Sequence, residues 1–144
     1  MMDAMKLFGL LGLLFCLATA HAGDQSSETS LAETISVADN YYAAFQGGDL
    51  DRVLMADDLK FFSPRFELDS ATAFRGALKG LFARVESLNI TSQLYDQGTV
   101  LTFYDLDLGT GGPIPMAEKL KVVEGKLARV DLLFDSARLA PPEL

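Results

Sequence analysis

Histidine and cysteine are nearly missing from this chain of 144 residues: there is one of each, His21 and Cys16, and tryptophan is absent. Both fall inside an N-terminal stretch in which Lys6 precedes an apolar run over residues 7–19 and then Ala20-His21-Ala22. A short charged region, a core of about 7–15 apolar residues and an Ala-x-Ala site are the three parts of a secretory signal peptide. Cleavage is therefore expected after Ala22, with residues 1–22 as the signal. The run is shorter than the ~20 residues that span a bilayer, and Phe15 stands where a lipoprotein signal needs a small residue before Cys16. The expected destination is the periplasm or exterior of a bacterium, with no membrane attachment after processing. On that reading the rest of the chain has neither His nor Cys. A Ser-His-Asp or Cys-His catalytic unit, a thiolate nucleophile, a disulfide and a zinc or haem site of the usual ligands are then excluded. No metal and no cofactor are expected, and acid–base work falls to carboxylates, Tyr or Lys.

Positive charge is also scarce. Lys and Arg number 12 against 20 Asp and Glu, a formal net charge of −8, and no basic cluster offsets it. Such a surface repels phosphate backbones and anionic lipid, so nucleic acid is not an expected partner.

Residues 23–29 are small and polar and read as a flexible leader; residues 30–144 read as one domain. Ser30 and Glu33 have capping-box spacing, and Leu31, Ile35, Ala38, Tyr42 and Phe45 form the apolar stripe of a helix that Gly47-Gly48 ends. Asp49 is placed to cap a second short helix over residues 50–56 that buries Leu50, Val53 and Leu54. Residues 59–63 read as a short strand closed by Pro64, with 66–68 as a return strand. Phe74, Leu78, Leu81, Phe82 and Val85 mark a third helix, whose interior Gly76 and Gly80 weaken. From Leu88 the apolar period changes from helical to two: strands over 88–95 and 99–107, a Gly-rich loop over 109–113, and a hairpin turning at Glu124-Gly125. In the last arm Val130, Leu132 and Phe134 form an apolar face and Arg129, Asp131 and Leu133 a mixed one. The fold class is α+β, a curved antiparallel sheet wrapped around N-terminal helices.

Three stretches, Tyr41 through Val53, Ala56 through Pro64 and Glu124 through Asp135, resemble the nuclear transport factor 2-like superfamily, which includes SnoaL-like polyketide cyclases and ketosteroid isomerase. The resemblance implies a cone-shaped α+β barrel with an apolar pocket at its open end, commonly a homodimer through the sheet. It implies little about activity, since the superfamily holds isomerases, cyclases, hydrolases, dehydratases and proteins without chemistry. Carried over residue by residue, the isomerase's helix-one Tyr matches Tyr41, the place of its general base holds Ser63, and the nearest match to its protonated carboxyl is Glu118. Ketosteroid isomerisation is therefore expected to be absent, because a Ser hydroxyl does not take a proton from carbon at neutral pH.

Each candidate also has a plain structural reading. Tyr41 is either a ligand-binding group or a core aromatic with a satisfied hydroxyl; Glu118 is either an inward carboxyl sharing the parity of Leu120 and Val122 or a surface acid; Asp105 can face either way. The expected pocket lining is Tyr41, Phe45, Phe62, Leu120, Val130, Leu132 and Phe134. Two functions follow. One is an exported module that binds a small hydrophobic molecule or a partner. The alternative is a small cyclase, isomerase or dehydratase that uses Tyr41, Glu118 or Asp105 for acid–base chemistry on a hydrophobic carbonyl compound.

Overall fold

The computed structural model describes residues 28–139; the expected signal peptide and most of the leader lie outside the described residues. Helix α1 runs Leu31–Phe45 with Ser30 as its N-cap. Its capping box is complete: the Glu33 amide donates to Ser30 Oγ at 3.2 Å and the Ser30 amide to Glu33 Oε2 at 2.8 Å. The helix buries Thr34, Val37, Ala38, Tyr41, Tyr42, Ala44 and Phe45, whereas Leu31 at its start is exposed. Gly47 takes the left-handed conformation, φ 85°. Order reaches back past Ser30, since the Thr29 hydroxyl accepts from the Glu124 amide at 2.8 Å.

The expected second helix is only a 3-10 turn, Leu50–Arg52, capped by Asp49. Leu54 is exposed, and the chain extends directly into β1, Met55–Phe62. A sequence too short to propagate helical hydrogen bonds beyond one turn lost to the ladder that residues 55–62 gain by pairing. After β2, Glu67–Leu68, comes α2, Ala71–Phe82, capped by Ser70 and continuous through Gly76 and Gly80. Four long strands follow: β3 Ser87–Asp96, β4 Thr99–Asp107, β5 Ile114–Val123 and β6 Lys126–Phe134. Glu124 and Gly125 both have positive φ, 50° and 70°, as a tight hairpin turn of that hand requires.

The six strands form one sheet in the order β2-β1-β6-β5-β4-β3. β3 through β6 make an antiparallel meander, but β1 pairs with β6 in parallel, so the sheet is mixed rather than wholly antiparallel. The register shifts between Ile90 and Ser92, between Lys121 and Val122, and along β1. Bulges of this kind increase local twist and bend the strand, which curves the sheet around the two α-helices. No α-helix among the described residues is long and apolar enough to cross a membrane.

The β3–β4 turn is tied to both neighbours. The Gly98 amide donates to the buried Thr34 hydroxyl at 2.8 Å, and its carbonyl accepts from the Val122 amide at 2.8 Å. Gly98 has φ 70°, and a Cβ there would lie 2.8 Å from the Val122 carbonyl oxygen. Gly98→Ala is expected to cost about 2–3 kcal/mol from strain and that contact, read as a lower urea midpoint. A midpoint equal to wild type would show that the turn relaxes freely.

Candidate functional site

Between the concave side of the sheet and the two helices lies a cavity of about 280 Å³. Every layer contributes to it. α1 supplies Tyr41 and Phe45, β1 supplies Phe61, and α2 supplies Phe74 and Leu78. The meander adds Tyr104 and Leu106 from β4, Met116 and Glu118 from β5, and Leu132 and Phe134 from β6. The period-two pattern explains the meander's share: inward residues 104 and 106, 116 and 118, 132 and 134 are each two apart on their strands. Exposed residues, among them Arg65, Phe66, Gly80 and Arg84, mark the opening, and the fully buried ones mark the floor.

The floor carries the one carboxyl that the described residues bring to the cavity. Glu118 is 1% exposed, and both of its oxygens are held: the Tyr41 hydroxyl donates to Oε1 at 3.0 Å and the Tyr42 hydroxyl to Oε2 at 2.9 Å. Burial pushes its pKa up to about 7, although the hydroxyls of Tyr42 and Tyr41 favour the charged form and pull the other way. No Lys or Arg pairs with it among the described residues. The same burial, with the carboxyl close by, drives Tyr41, Tyr42 and Tyr104 well above the usual phenol value. These tyrosines therefore act as neutral hydrogen-bond donors.

The network extends away from the cavity along the concave side. Thr102, fully buried, stands beside the Tyr42 hydroxyl and accepts from Gln93 Nε2 at 3.2 Å, and Gln93 Oε1 accepts from the Tyr95 hydroxyl at 2.8 Å. Tyr104 differs from its neighbours. Its ring packs edge-on against Tyr42 at 5.9 Å, and its hydroxyl makes no hydrogen bond among the described residues. Because no fully buried side-chain N or O among the described residues lacks a partner, that hydroxyl opens into the cavity.

Tyr41 and Glu118 thus meet, as inward parity on β5 requires. The other expected positions divide. Phe45, Leu132 and Phe134 line the cavity; Leu120 and Val130 do not, being fully buried in the packed core further along the sheet. Phe62 is on the outer face, where the Arg129 guanidinium lies 4.3 Å from its ring centre, and its neighbour Phe61 takes the inward place. Strand β1 reads apolar at both 61 and 62, so alternation alone did not choose between them. Asp105 shares the outward parity of Phe103 and is absent from the cavity. Ser63 reaches the rim, but its hydroxyl closes the β1–β2 turn by donating to the Phe66 carbonyl at 2.9 Å and accepting from the amides of Arg65 and Phe66. Sequence reasoning missed Tyr42 as the second partner of Glu118 and Tyr104 as the free hydroxyl. The inward series Val100, Thr102, Tyr104 and Leu106 on β4 was the signal for the latter.

No family model matches the chain, and no curated protein matches it. Solved structures do. A nuclear transport factor 2-like protein from Burkholderia xenovorans superposes with a TM-score of 0.64 at 13% identity over 77% of this chain and 89% of that one. An LEH-like epoxide hydrolase from Mycobacterium tuberculosis gives 0.62 at 22% identity over 75% and 86%. A steroid Δ-isomerase from Pseudomonas aeruginosa gives 0.62 at 16% identity over 72% and 80%. Identities this low speak for architecture alone. Two helices cradled by a curved, unclosed six-stranded sheet, superposable over about three quarters of its length on these proteins, give this chain the fold of the nuclear transport factor 2-like superfamily.

Proposed function

We propose that the chain is an exported protein that binds a small hydrophobic molecule carrying one polar oxygen. The observation that carries this reading is the cavity itself, almost wholly apolar with a polar end at the Glu118 carboxyl and the unpartnered Tyr104 hydroxyl. Ligand sites commonly combine an apolar lining with a few convergent polar groups. A ligand carbonyl or hydroxyl oxygen set against Tyr104 gains a donor that no group of the described residues already uses. Protonated Glu118 adds a second donor on the same floor. Native mass spectrometry of the protein purified from its own source tests the reading directly: the expected result is a retained small molecule, released on unfolding, with reduced occupancy in Tyr104→Phe. Protein that carries nothing, and that binds no apolar ketone or alcohol offered to it, overturns the reading.

A second reading, acid–base catalysis on a hydrophobic carbonyl compound, rests on one observation: a carboxyl poised near neutrality lies on the floor of the cavity. Against it, both carboxyl oxygens are engaged by tyrosines, and the rim position where the isomerase has its base is occupied by Ser63. Turnover of a retained ligand or of a Δ5-3-ketosteroid, abolished in Glu118→Gln, would favour catalysis. The outer face of the sheet exposes Leu94, Phe103 and Leu133, with Phe103 and Leu133 flanking Ala117 in one row across β4, β5 and β6. That row supports a homodimer through the sheet, which the same mass spectrum would count.

A further inference from the structure

We propose that the ligand is an amphipathic acid whose anionic end stays at the cavity mouth, with the Arg84 guanidinium as its counter-charge. The inference rests on the binding reading above and adds the charge of the ligand and its direction of entry. Acidic residues outnumber basic ones 20 to 12 in this chain, yet among the described residues the exposed ones that line the cavity include Arg65 and Arg84 and no Asp or Glu. Arg84 thus sets a positive charge at the opening of an acidic protein, and a charge at an opening with apolar walls raises the local concentration of the opposite charge.

The two arginines are not equivalent. One amino group of Arg65 donates to the backbone carbonyls of Leu139 at 2.8 Å and Ser136 at 3.4 Å, so this side chain is committed to holding the segment after β6. Arg84 follows α2, anchored through its amide to the Leu81 carbonyl at 2.8 Å. Its exposed side chain makes no hydrogen bond or ion pair among the described residues, not even with nearby Glu86. One turn earlier Gly80 also lines the opening, and a Cβ there would meet nothing within 4 Å, so the helix surface beside Arg84 is open at that point.

The floor enforces the direction. Glu118 is buried there without a cationic partner among the described residues, so a ligand carboxylate inserted first would be desolvated against another carboxyl. The apolar body goes in with its neutral oxygen toward Tyr104, and the charge stays out, where a planar guanidinium can pair with a carboxylate through two parallel hydrogen bonds.

Arg84 near the C-terminal end of α2 also has a purely structural job available, favourable interaction with the helix dipole. Calorimetric titration of the full-length chain with decanoate, decanol and decylammonium, at a pH below the Glu118 titration, separates the two. Decanoate is expected to bind about two- to fivefold more tightly than decanol, as one solvent-accessible charge pair supplies. Decylammonium is expected to bind most weakly. Arg84→Gln is expected to erase the preference while leaving decanol unchanged, Arg84→Lys to keep part of it, and added salt to shrink it in wild type. Decanol and decanoate of equal affinity, or a preference for decanoate that survives Arg84→Gln, would overturn the anionic assignment while leaving the binding reading intact. If none of the three binds, both fall together.

Discussion

Phe74→Ala is expected to lower the stability of the protein by about 3–5 kcal/mol, the range for deleting a large aromatic side chain from a packed site. Phe74 is 1% exposed. Its ring stacks on Tyr41 at 6.4 Å with an interplanar angle of 18° and lies 5.0 Å from Phe61, so it joins α2 to both α1 and β1. Only Phe74 and Leu78 of α2 are buried, which leaves the helix with few other anchors. Phe134, also on the cavity wall but only partly buried, provides the comparison. Phe134→Ala is expected to cost about 1–2 kcal/mol, because part of its apolar surface is already turned away from packed atoms. Urea unfolding of both variants measures the difference. Equal losses would mean that the cavity wall around Phe134 is as tightly packed as the α2 anchor.

The contrast between those two rings was only half legible in the sequence. Alternation on β6 identified the inward set, because a strand half buried on one side writes its parity into polarity. The same device failed on β1, where Phe61 and Phe62 are adjacent and both apolar, and where the outward ring is accommodated by an arginine from β6 rather than by solvent. The parallel pairing of β1 with β6 joins segments more than sixty residues apart and leaves no local mark at all. The cap of α1 was easier: Ser30 acts within four residues of itself, and that N-terminus fell where its hydroxyl and Glu33 indicated. Burial explains the Glu118 site in the same terms. Parity indicated that its side chain could face inward with Leu120, but that two consecutive tyrosines on α1 reach its two oxygens depends on how the helix is rotated over the sheet, a long-range matter.

The stability of the protein is expected to fall as pH rises from about 4.5 to about 7, and Glu118 is the group responsible. Its ordinary value is 4.5, and in the folded chain burial lifts it to about 7. Between those values the folded state holds a proton that the unfolded state has released, so each unit of pH favours unfolding. The contribution is fully present below 4.5, declines through the interval and is gone above the folded value. A difference of that size corresponds to on the order of 3 kcal/mol. Asp131 and Glu33 are shifted in the opposite direction, downward, by Arg129 and Ser30 respectively; their contributions are lost on acidification at and below the ordinary carboxylate range and do not counter the trend above it. Glu118→Gln, neutral at every pH and able to accept from one tyrosine, is expected to flatten the profile between those limits. Tyr42→Phe is expected to move the decline to higher pH, since it removes a donor that favours the charged carboxylate. Urea midpoints of the three proteins across this range decide the matter. A wild-type profile as flat as that of Glu118→Gln would place the Glu118 carboxyl in water and would remove the protonated donor on which recognition at the cavity floor partly depends.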